Sequence, residues 1–282
     1  MIPVARLKKN LDFNRDLGDI IDVMKLAATL QFNLFRSNQE PFARFSAGLE
    51  ESFSSVMTAQ NSGRNRFIVP REGLPGAIVL VSSDEGFLGE LNTVLINKLL
   101  AVYRENDEVI VVGQQGANYL HELGIPFSSY PSLGDKLDFG QIRGLRDRAF
   151  GLFNEGKAGR ITVISSQFVN INIQQVESSV FLPLDYLLPA RPPKERHDLI
   201  IEPNLDAVLE GWVKLWMLSR LYRIAWSSKL AEYAARIMHL DVSSRELVRL
   251  NRQLRLEYFK YLHGLSDKTI REIVAARIKI GN

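Results

Sequence analysis

The chain has 282 residues, of which 46% are apolar and 24% charged, and this balance is normal for a folded protein and excludes global disorder. Its 35 Lys and Arg residues against 32 Asp and Glu give a formal net charge of only +3, which is weak support for a nucleic-acid partner. Cysteine is absent, which excludes disulfides and thiolate chemistry, and the four scattered histidines form no metal-type pair, so we expect no metal site.

The first predicted element is a long amino-terminal helix. Between residues 4 and 45 the only proline is Pro41, and apolar residues recur at helical spacing. The recurring residues are Leu7, Leu11, Leu17, Ile21, Met24, Ala28, Phe32 and Phe35. We assign residues 1–60 to an amino-terminal coiled-coil helix.

The middle of the chain, residues 75–186, has a different periodicity and is predicted to form an α/β domain. Short β-branched runs bounded by turn residues predict buried strands at residues 77–82, 108–112 and 160–165. Helical patterns lie between them, at residues 88–104, 116–123 and 139–154. This alternation predicts a Rossmann-like fold with a mainly parallel sheet.

The end of the predicted domain has its own signals. After Gln167 apolar and polar residues alternate, which predicts a further strand or a hairpin. The proline-rich run at residues 187–198 predicts a linker or an exposed loop. Pro203 and Asn204 then favour the start of a helix.

Residues 203–282 are predicted to form one carboxyl-terminal coiled-coil helix, because no proline follows Leu205 and the apolar spacing alternates between three and four. The predicted contact stripe is Leu230, Tyr233, Ile237, Leu240, Ser244, Leu247, Asn251, Leu254, Tyr258, Tyr261 and Leu265. About 75 residues make a helix of roughly 110 Å, whereas a globule of this chain length has a radius of gyration of about 19 Å. We therefore expect this helix to protrude and to pair with the amino-terminal helix as an antiparallel coiled coil.

The loop after the first strand, residues 82–92, contains the most suggestive chemical groups. Its serines and acids follow a strand and open a helix, where α/β folds often bind ligands. No histidine, lysine or cysteine lies nearby in sequence, and capping and turn formation explain Ser83 and Asp84 equally well. A small α/β nucleotide-binding enzyme or sensor, dimerised through the coiled coil, is the alternative hypothesis that this loop leaves open.

Two glycine-rich segments favour turns over phosphate binding. Residues 151–158 have the spacing of a phosphate-binding loop, but Ala158 replaces its Ser or Thr, and the segment leaves a helix and enters a strand. Gly113 and Gly116 lack the third glycine of a dinucleotide site. We interpret the first segment as a helix stop and the second as a tight turn.

Four arginines, Arg245, Arg249, Arg252 and Arg255, follow one flank of the predicted carboxyl-terminal helix. This flank is suited to phosphates or to an acidic protein surface, and a solvated helix face explains it as well. A helical nucleic-acid binder built on these arginines is a third hypothesis.

Several segments together resemble one family, the gamma subunits of F-type rotary ATP synthases. Residues 82–92, SSDEGFLGELN, are similar to the family's S-T-D-x-G-L-C-G-x-x-N and keep Asp84, Gly86, Gly89 and Asn92. Phe168, Asn170 and Gln175, the pair Glu202 and Pro203, and the run from Ala234 to Ile237 also match family motifs. The resemblance covers nearly the whole chain.

The sequence also departs from the family pattern. The family's N-x-x-R-Q-x-x-I-T is replaced at residues 259–267, and its T-Q-K-I-T-x-A-M is replaced at residues 17–24. These departures suggest a divergent member, one candidate being the alternate sodium-translocating bacterial kind. Neither the coupled ion, H⁺ or Na⁺, nor the direction of the reaction is specified by this chain.

The resemblance implies a non-catalytic rotor shaft without a cofactor. The implied partners are the alpha- and beta-type ring subunits, an epsilon-type stalk subunit and a membrane c-type ring, with no nucleic acid. Arg236 would contact a loop of the catalytic subunit, Met24 and Lys25 a bearing surface, and Glu202 the membrane ring. The remaining implied partner-binding residues are Arg245, Arg249, Arg252 and His263.

The implied location is the cytoplasmic face of the bacterial inner membrane, as a peripheral subunit. No apolar run approaches the roughly 18 residues that a membrane helix needs, so we expect no direct membrane insertion. The first residues, MIPVARLKKNLDFNRD, also lack the apolar centre of a signal peptide.

Overall fold

A computed structural model describes residues 4–37, 43–60, 65–134, 136–187, 202 and 204–280. The helices are α1 (Val4–Ser37), α2 (Ala43–Gln60), α3 (Leu91–Val102), α4 (Gln114–Glu122), α5 (Phe139–Asn154) and α6 (Leu205–Ile280). The strands are β1 (Gly76–Val81), β2 (Glu108–Val112), β3 (Ser128–Tyr130), β4 (Arg160–Asn170) and β5 (Ile173–Leu182). A short 3₁₀ helix, Asp185–Leu187, follows β5.

The five strands form one mixed sheet in the order β3-β2-β1-β4-β5. The first four are parallel, and β5 pairs antiparallel with β4. Val79 of β1 lies between Ile110 of β2 and Val163 of β4, and all three side chains are buried. The predicted strands, the hairpin and the mainly parallel sheet are therefore confirmed.

Two differences from the predicted elements have physical reasons. Strand β3 was not predicted, because its three residues, Ser128–Tyr130, include no β-branched residue and make too short a run. Helix α3 begins at Leu91, three residues later than predicted, because the loop that precedes it contains Gly86 and Gly89.

The chain divides into two units, and α1 and α6 contribute to both. The helical unit comprises Met1–Leu30 and Ile237–Asn282, and the mixed unit comprises Gln31–Arg236. The predicted domain ranges, 1–60, 75–186 and 203–282, stay a prediction.

In the helical unit, α1 and α6 pair along a narrow apolar seam. Ile21, Leu240 and Leu247 are buried together, with Met24 packed against them. Lys25 pairs with Asp241, whereas a methyl group at Gly18 would lie 3.5 Å from Leu247. Residue numbers that rise along α1 thus fall along α6, and the pairing is antiparallel as predicted.

The predicted stripe on α6 matches the observed burial in most positions of the helical unit. Leu240 and Leu247 are buried, and Asn251 and Leu254 are half-buried between exposed neighbours. Tyr258 and Tyr261 continue this pattern as half-buried residues. The last predicted member, Leu265, is exposed.

In the mixed unit, α2 also packs antiparallel on α6. The hydroxyls of Ser46 and Ser219 lie 2.6 Å apart, and the ring of Phe53 stacks on Trp212 with centroids 4.3 Å apart. The indole of Trp212 donates to the backbone carbonyl of Leu49 at 2.9 Å. Trp216 is fully buried in the same core.

Within residues 1–60, which we assigned to one amino-terminal coiled-coil helix, the structure has two helices, α1 and α2. Helix α1 ends at Ser37 and α2 begins at Ala43, with residues 38–42 outside the described part of the chain. Pro41 falls in this interval, and proline both lacks an N–H and collides with the preceding helical turn.

Around the start of α6, the predicted proline-rich loop falls outside the described residues from position 188 onward. The backbone N–H of Ala207 donates to the side-chain oxygen of Asn204 at 2.9 Å. This capping bond satisfies one of the free donors of the first turn, so the predicted helix start at Asn204 is confirmed.

Candidate functional site at the carboxyl edge of the sheet

The β1 loop, defined as residues 82–92, begins with a serine that joins two strands. The Ser82 hydroxyl donates to the carbonyl of Val112 at 2.8 Å and accepts from the N–H of Gly116 at 3.0 Å. A side chain at Gly113 (φ 96°) or at Gly116 would collide with Ser82. The turn after β2 is therefore packed directly against Ser82 and leaves no room for a side chain at either glycine.

Both ends of the β1 loop are tied together. The amide of Asn92 donates to the hydroxyl of Ser83 at 2.8 Å, and both side chains are buried. Leu88 is buried against Leu91 and against Ala235 of α6. The family-motif residue Asn92 thus closes the loop by hydrogen bonding.

The tip of the loop holds a strained and exposed aromatic residue. Phe87 has φ 63°, in the left-handed region, and its side chain is 57% exposed. A left-handed conformation costs a non-glycine residue roughly 1–2 kcal/mol. Gly89 (φ 57°) shares this backbone region at no such cost. The anchors on either side of Phe87 therefore have to outweigh its strain.

Asp84 connects the loop to three other elements. Its carboxylate accepts from the hydroxyl of Ser132 and, at 3.4 Å, from the N–H of Gln114 at the start of α4. The ammonium of Lys229, on α6, lies 3.8 Å from the same carboxylate. A single family-motif side chain thus contacts the loop after β3, α4 and α6.

A buried ion pair on α6 lies beside Asp84. The ammonium of Lys229 is 3.2 Å from the carboxylate of Glu232, and both residues are buried. Burial raises the pKa of Glu232 to about 7, although Lys229 and Arg236 act in the opposite direction. A cavity of about 10 Å³ adjoins these residues.

Arg236, one turn further along α6, also contacts the β1 loop. Its guanidinium is 3.2 Å from the carboxylate of Glu85 and donates to the carbonyl of Gly86 at 3.5 Å. The same group lies 5.9 Å from the ring centroid of Tyr233. Arg236 is only 6% exposed, so the structure places this predicted partner-binding residue on a loop of its own chain.

Helix α6 occupies the crevice where a nucleotide would bind. The order of the sheet reverses between β1 and β4, which is where open α/β sheets bind ligands. There the hydroxyls of Ser166 and Ser228 lie 2.8 Å apart, and the N–H of Phe168 donates to Ser227 at 3.0 Å. This arrangement joins α6 to the sheet at the position where a ligand would otherwise bind.

A wider cavity of about 860 Å³ lies at the opposite, amino-terminal edge of the sheet. Its lining mixes arginines with acidic residues, and the carboxylate of Asp107 is engaged by backbone N–H groups of Gly76 (2.6 Å) and Arg104 (3.0 Å). Because the lining of this cavity carries both positive and negative side chains and favours no single class of charged ligand, we take the carboxyl edge of the sheet as the candidate site.

Within the described ranges, His, Asp and Glu side chains form no group of three that would hold a metal ion. No helix in the same ranges is long and apolar enough to cross a membrane.

The family model described as ATP synthase matches residues 4–275. The chain belongs to the ATP synthase family. This membership confirms the resemblance that the sequence motifs indicated.

Relatives within the ATP synthase family match over nearly their full length. The ATP synthase gamma chain of Clostridium perfringens is 24% identical over 275 residues, covering 96% of both chains. That of Mycoplasmopsis synoviae is 24% identical over 283 residues, covering 98% of both chains.

Solved ATP synthase structures share the fold. A chain from the Euglena gracilis mitochondrial ATP synthase, in a structure of OSCP, F1 and c-ring, has a TM-score of 0.72 at 14% identity, covering 98% of this chain and 94% of its own. A chain from the Tetrahymena thermophila central stalk and c-ring has a TM-score of 0.61 at 19% identity, covering 80% and 99%.

The remaining residues that the family resemblance had singled out lie outside this site. In the helical unit, Met24 is half-buried in the seam and Lys25 pairs with Asp241. Arg245 pairs with Asp241, and Arg249 lies 2.9 Å from Glu246. Three further predicted residues are exposed: Glu202, Arg252 and His263.

Sequence reasoning missed the buried charges of the site and the apolar outer faces of the long helices. Lys229 and Glu232 stand three apart on a helix, a spacing that brings side chains together, but nothing in the sequence showed that they are buried. The exposure of further apolar residues on the long helices was not predicted either, because apolar residues occur on more than one face of these helices. On α1 they include Phe13, Ile20, Val23, Leu26, Leu30 and Leu34, and on α6 they include Val242, Val248, Leu256 and Phe259.

Proposed function

We propose that this chain is the non-catalytic central-stalk subunit, the rotor shaft, of a rotary F-type ATP synthase. In this role it couples transmembrane ion flow to ATP synthesis or hydrolysis in the surrounding catalytic subunits. The observation that carries the proposal is the antiparallel pairing of α1 and α6 in a chain that belongs to the ATP synthase family.

The outer faces of both long helices support a surrounding partner. Val23 on α1 and Val248 on α6 are each 68% exposed, and neither belongs to the seam. Further large apolar residues are exposed on the same helices, as described above. Apolar faces of this extent mark a protein interface in a folded protein. A ring of alpha- and beta-type subunits enclosing the helices would cover them.

Charged residues of the helical unit suit the same ring. Arg245, Arg249 and Arg252 would face an acidic segment of the catalytic subunit, where guanidinium groups bind carboxylates in a forked geometry. The exposed His263 would lie on the same partner surface. Met24 and Lys25 would border the bearing surface formed mainly by Val23 and its apolar neighbours.

The remaining partners concern the mixed unit. Glu202 would contact the polar loops of a membrane c-type ring, and an epsilon-type subunit would complete the stalk. Arg236 would reach a catalytic-subunit loop only together with Glu85, to which it is bound. The location we propose is peripheral, at the cytoplasmic face of the bacterial inner membrane.

In this proposal, rotation is coupled to nucleotide affinity because the shaft makes different contacts with different ring subunits. An asymmetric shaft contacts each ring subunit differently, so each subunit holds nucleotide with a different affinity. Turning the shaft exchanges these states and thereby converts torque into nucleotide affinity. The chain needs no active site of its own for this role.

Co-expression with alpha- and beta-type ring subunits tests the proposal. We expect the tagged chain to co-purify with the ring, and Val23→Asp to reduce recovery of the ring at least tenfold, because a charge would replace an apolar contact. The matched control, Asp22→Asn, changes a neighbouring exposed polar residue and should recover the ring normally. Absence of ring subunits from the wild-type preparation would contradict the proposal.

A titration with ATP separates this function from the enzyme alternative. Because α6 fills the crevice at the carboxyl edge of the sheet, we expect the isolated chain to bind ATP no more tightly than millimolar. Micromolar affinity in calorimetry would favour the nucleotide-binding enzyme or sensor instead.

A further inference from the structure

We infer that Lys229 is a positioning residue, whose ammonium group holds the β1 loop against α6 by bridging Asp84 of the loop and Glu232 of the helix. This role goes beyond the proposed function, since it concerns how one loop of the chain is held whatever the chain's partners are.

The geometry places Lys229 between two carboxylates on different elements. Its ammonium lies 3.2 Å from Glu232 and 3.8 Å from Asp84. Lys229 is 8% exposed, so its charge is largely removed from water and depends on these groups for compensation. An ammonium has three donors, enough to serve both acids at once.

The β1 loop requires such an anchor because its tip is strained. Phe87 holds a left-handed backbone while its side chain stays exposed, so its own packing does not stabilise that conformation. Hydrogen bonds between Ser83 and Asn92 join the two ends of the loop, and Arg236 anchors it at Gly86. Lys229 adds a third anchor, because it connects Asp84 of the loop to α6.

Glu232 makes the link sensitive to pH. The charged groups around it are Lys229 and Arg236, on its own helix, and Asp84, from the loop. When Glu232 is ionised, Lys229 is shared between two carboxylates. When Glu232 takes up a proton, Lys229 serves Asp84 alone, and the loop is held more tightly.

Hydrogen exchange of the full chain, with each amide corrected for its intrinsic rate, tests the inference. In Lys229→Met we expect the amides of residues 85–90 to exchange at least tenfold faster at pH 7.5, with those of β2 unchanged. The conservative variant Lys229→Arg should restore protection to within about threefold, since a guanidinium can bridge the same acids.

A pH series adds a readout that loss of packing would not change. In the wild type, loop protection should fall as Glu232 ionises on raising the pH from 6 to 8, and in Glu232→Gln this dependence should disappear. In Lys229→Met this dependence should disappear as well, because the cation that Asp84 and Glu232 share is absent.

A double variant keeps the test decisive if Lys229→Met fails to fold. Lys229→Met combined with Glu232→Gln buries no unpaired charge at position 232, and its loop should still exchange at least tenfold faster, because Asp84 lacks its cation. Unchanged loop protection in these variants, or equal loss of protection in β2 and in the loop, would overturn the inference.

Discussion

Two consecutive segments of α6 share one helical backbone but have opposite surroundings. In the mixed unit, the four consecutive residues from Trp216 to Ser219 are all buried, so this stretch of the helix is covered on every side. In the helical unit, Leu240 and Leu247 are buried while Val242 and Val248 are exposed. The first segment forms core, and the second presents one narrow seam and leaves its outer face for a partner.

The same contrast governs charged side chains. Glu232 belongs to the covered segment, and burial raises its pKa to about 7. Asp241 belongs to the segment with the seam, and hydrogen bonds from Lys25 and Arg245 lower its pKa. These two carboxylates, nine positions apart, depend on pH in opposite ways, because desolvation has the largest effect on the pKa of Glu232 and hydrogen bonds from Lys25 and Arg245 have the largest effect on that of Asp241.

The largest expected effect is in the covered segment. Trp216→Ala should lower the free energy of unfolding by about 3–5 kcal/mol, because it leaves a large cavity in a closed core. Chemical denaturation followed by circular dichroism measures this loss. The control Leu215→Ala removes a partly exposed neighbour and should cost less than about 1 kcal/mol. If both variants lost the same free energy of unfolding, the proposed difference between covered and exposed positions would be wrong.

A smaller and local effect is expected in the seam. Leu247→Ala should cost about 2–3 kcal/mol, since a narrow seam can close around part of the cavity. Amide exchange should accelerate in residues 4–30 of α1 while the sheet remains protected. Val248→Ala, at an exposed position beside it, is the matched control and should leave exchange unchanged. Accelerated exchange in the sheet would show that the two units are not separately stabilised.

The buried acid predicts a pH effect of roughly 2 kcal/mol. Because the folded-state pKa of Glu232 is raised from its ordinary value of 4.5 to about 7, its contribution to stability is fully present below pH 4.5 and is lost as the pH rises through 7. Denaturation from pH 5 to 8 should therefore show a declining stability that Glu232→Gln flattens. A parallel decline in Glu232→Gln would assign the effect to another group.

The smallest expected effect concerns the half-buried acid Asp241, and it has the opposite sign. The pKa of Asp241 is lowered, so its contribution is present above the unfolded value and is lost as the pH falls through the folded value. Asp241→Asn should therefore be slightly less stable than the wild type at neutral pH, and the two melting curves should converge in acid. A difference that persists in acid would show that the lost contact is not electrostatic.

The regular elements could be predicted because each has a period that survives in the sequence. The apolar stripe around Leu240 and Leu247 has the period of a coiled coil, and the strand at residues 108–112 is a β-branched run found with the predicted bounds. Strand β3 lacks such a run. Pro41 alone was not enough to predict that α1 ends at Ser37 and that α2 begins at Ala43.

The candidate site could be predicted only in part. The β1 loop was identified as the most suggestive segment, and its Asp84 and Asn92 do hold it together. Lys229 and Glu232 were not identified, because they lie more than 130 positions further along the chain and only folding brings them to the loop. Arg236 was assigned to a partner, yet its nearest acid is Glu85 of its own chain.

The sequence by itself determined that this protein pairs its first and last helices and that it contains a mainly parallel α/β domain, because periodicity is a local property that each segment carries. Only the tertiary structure decided which charges are buried and which apolar faces stay open. Desolvation depends on what surrounds a side chain in space, and for Glu232 and Val248 those surroundings come from the packing of distant segments.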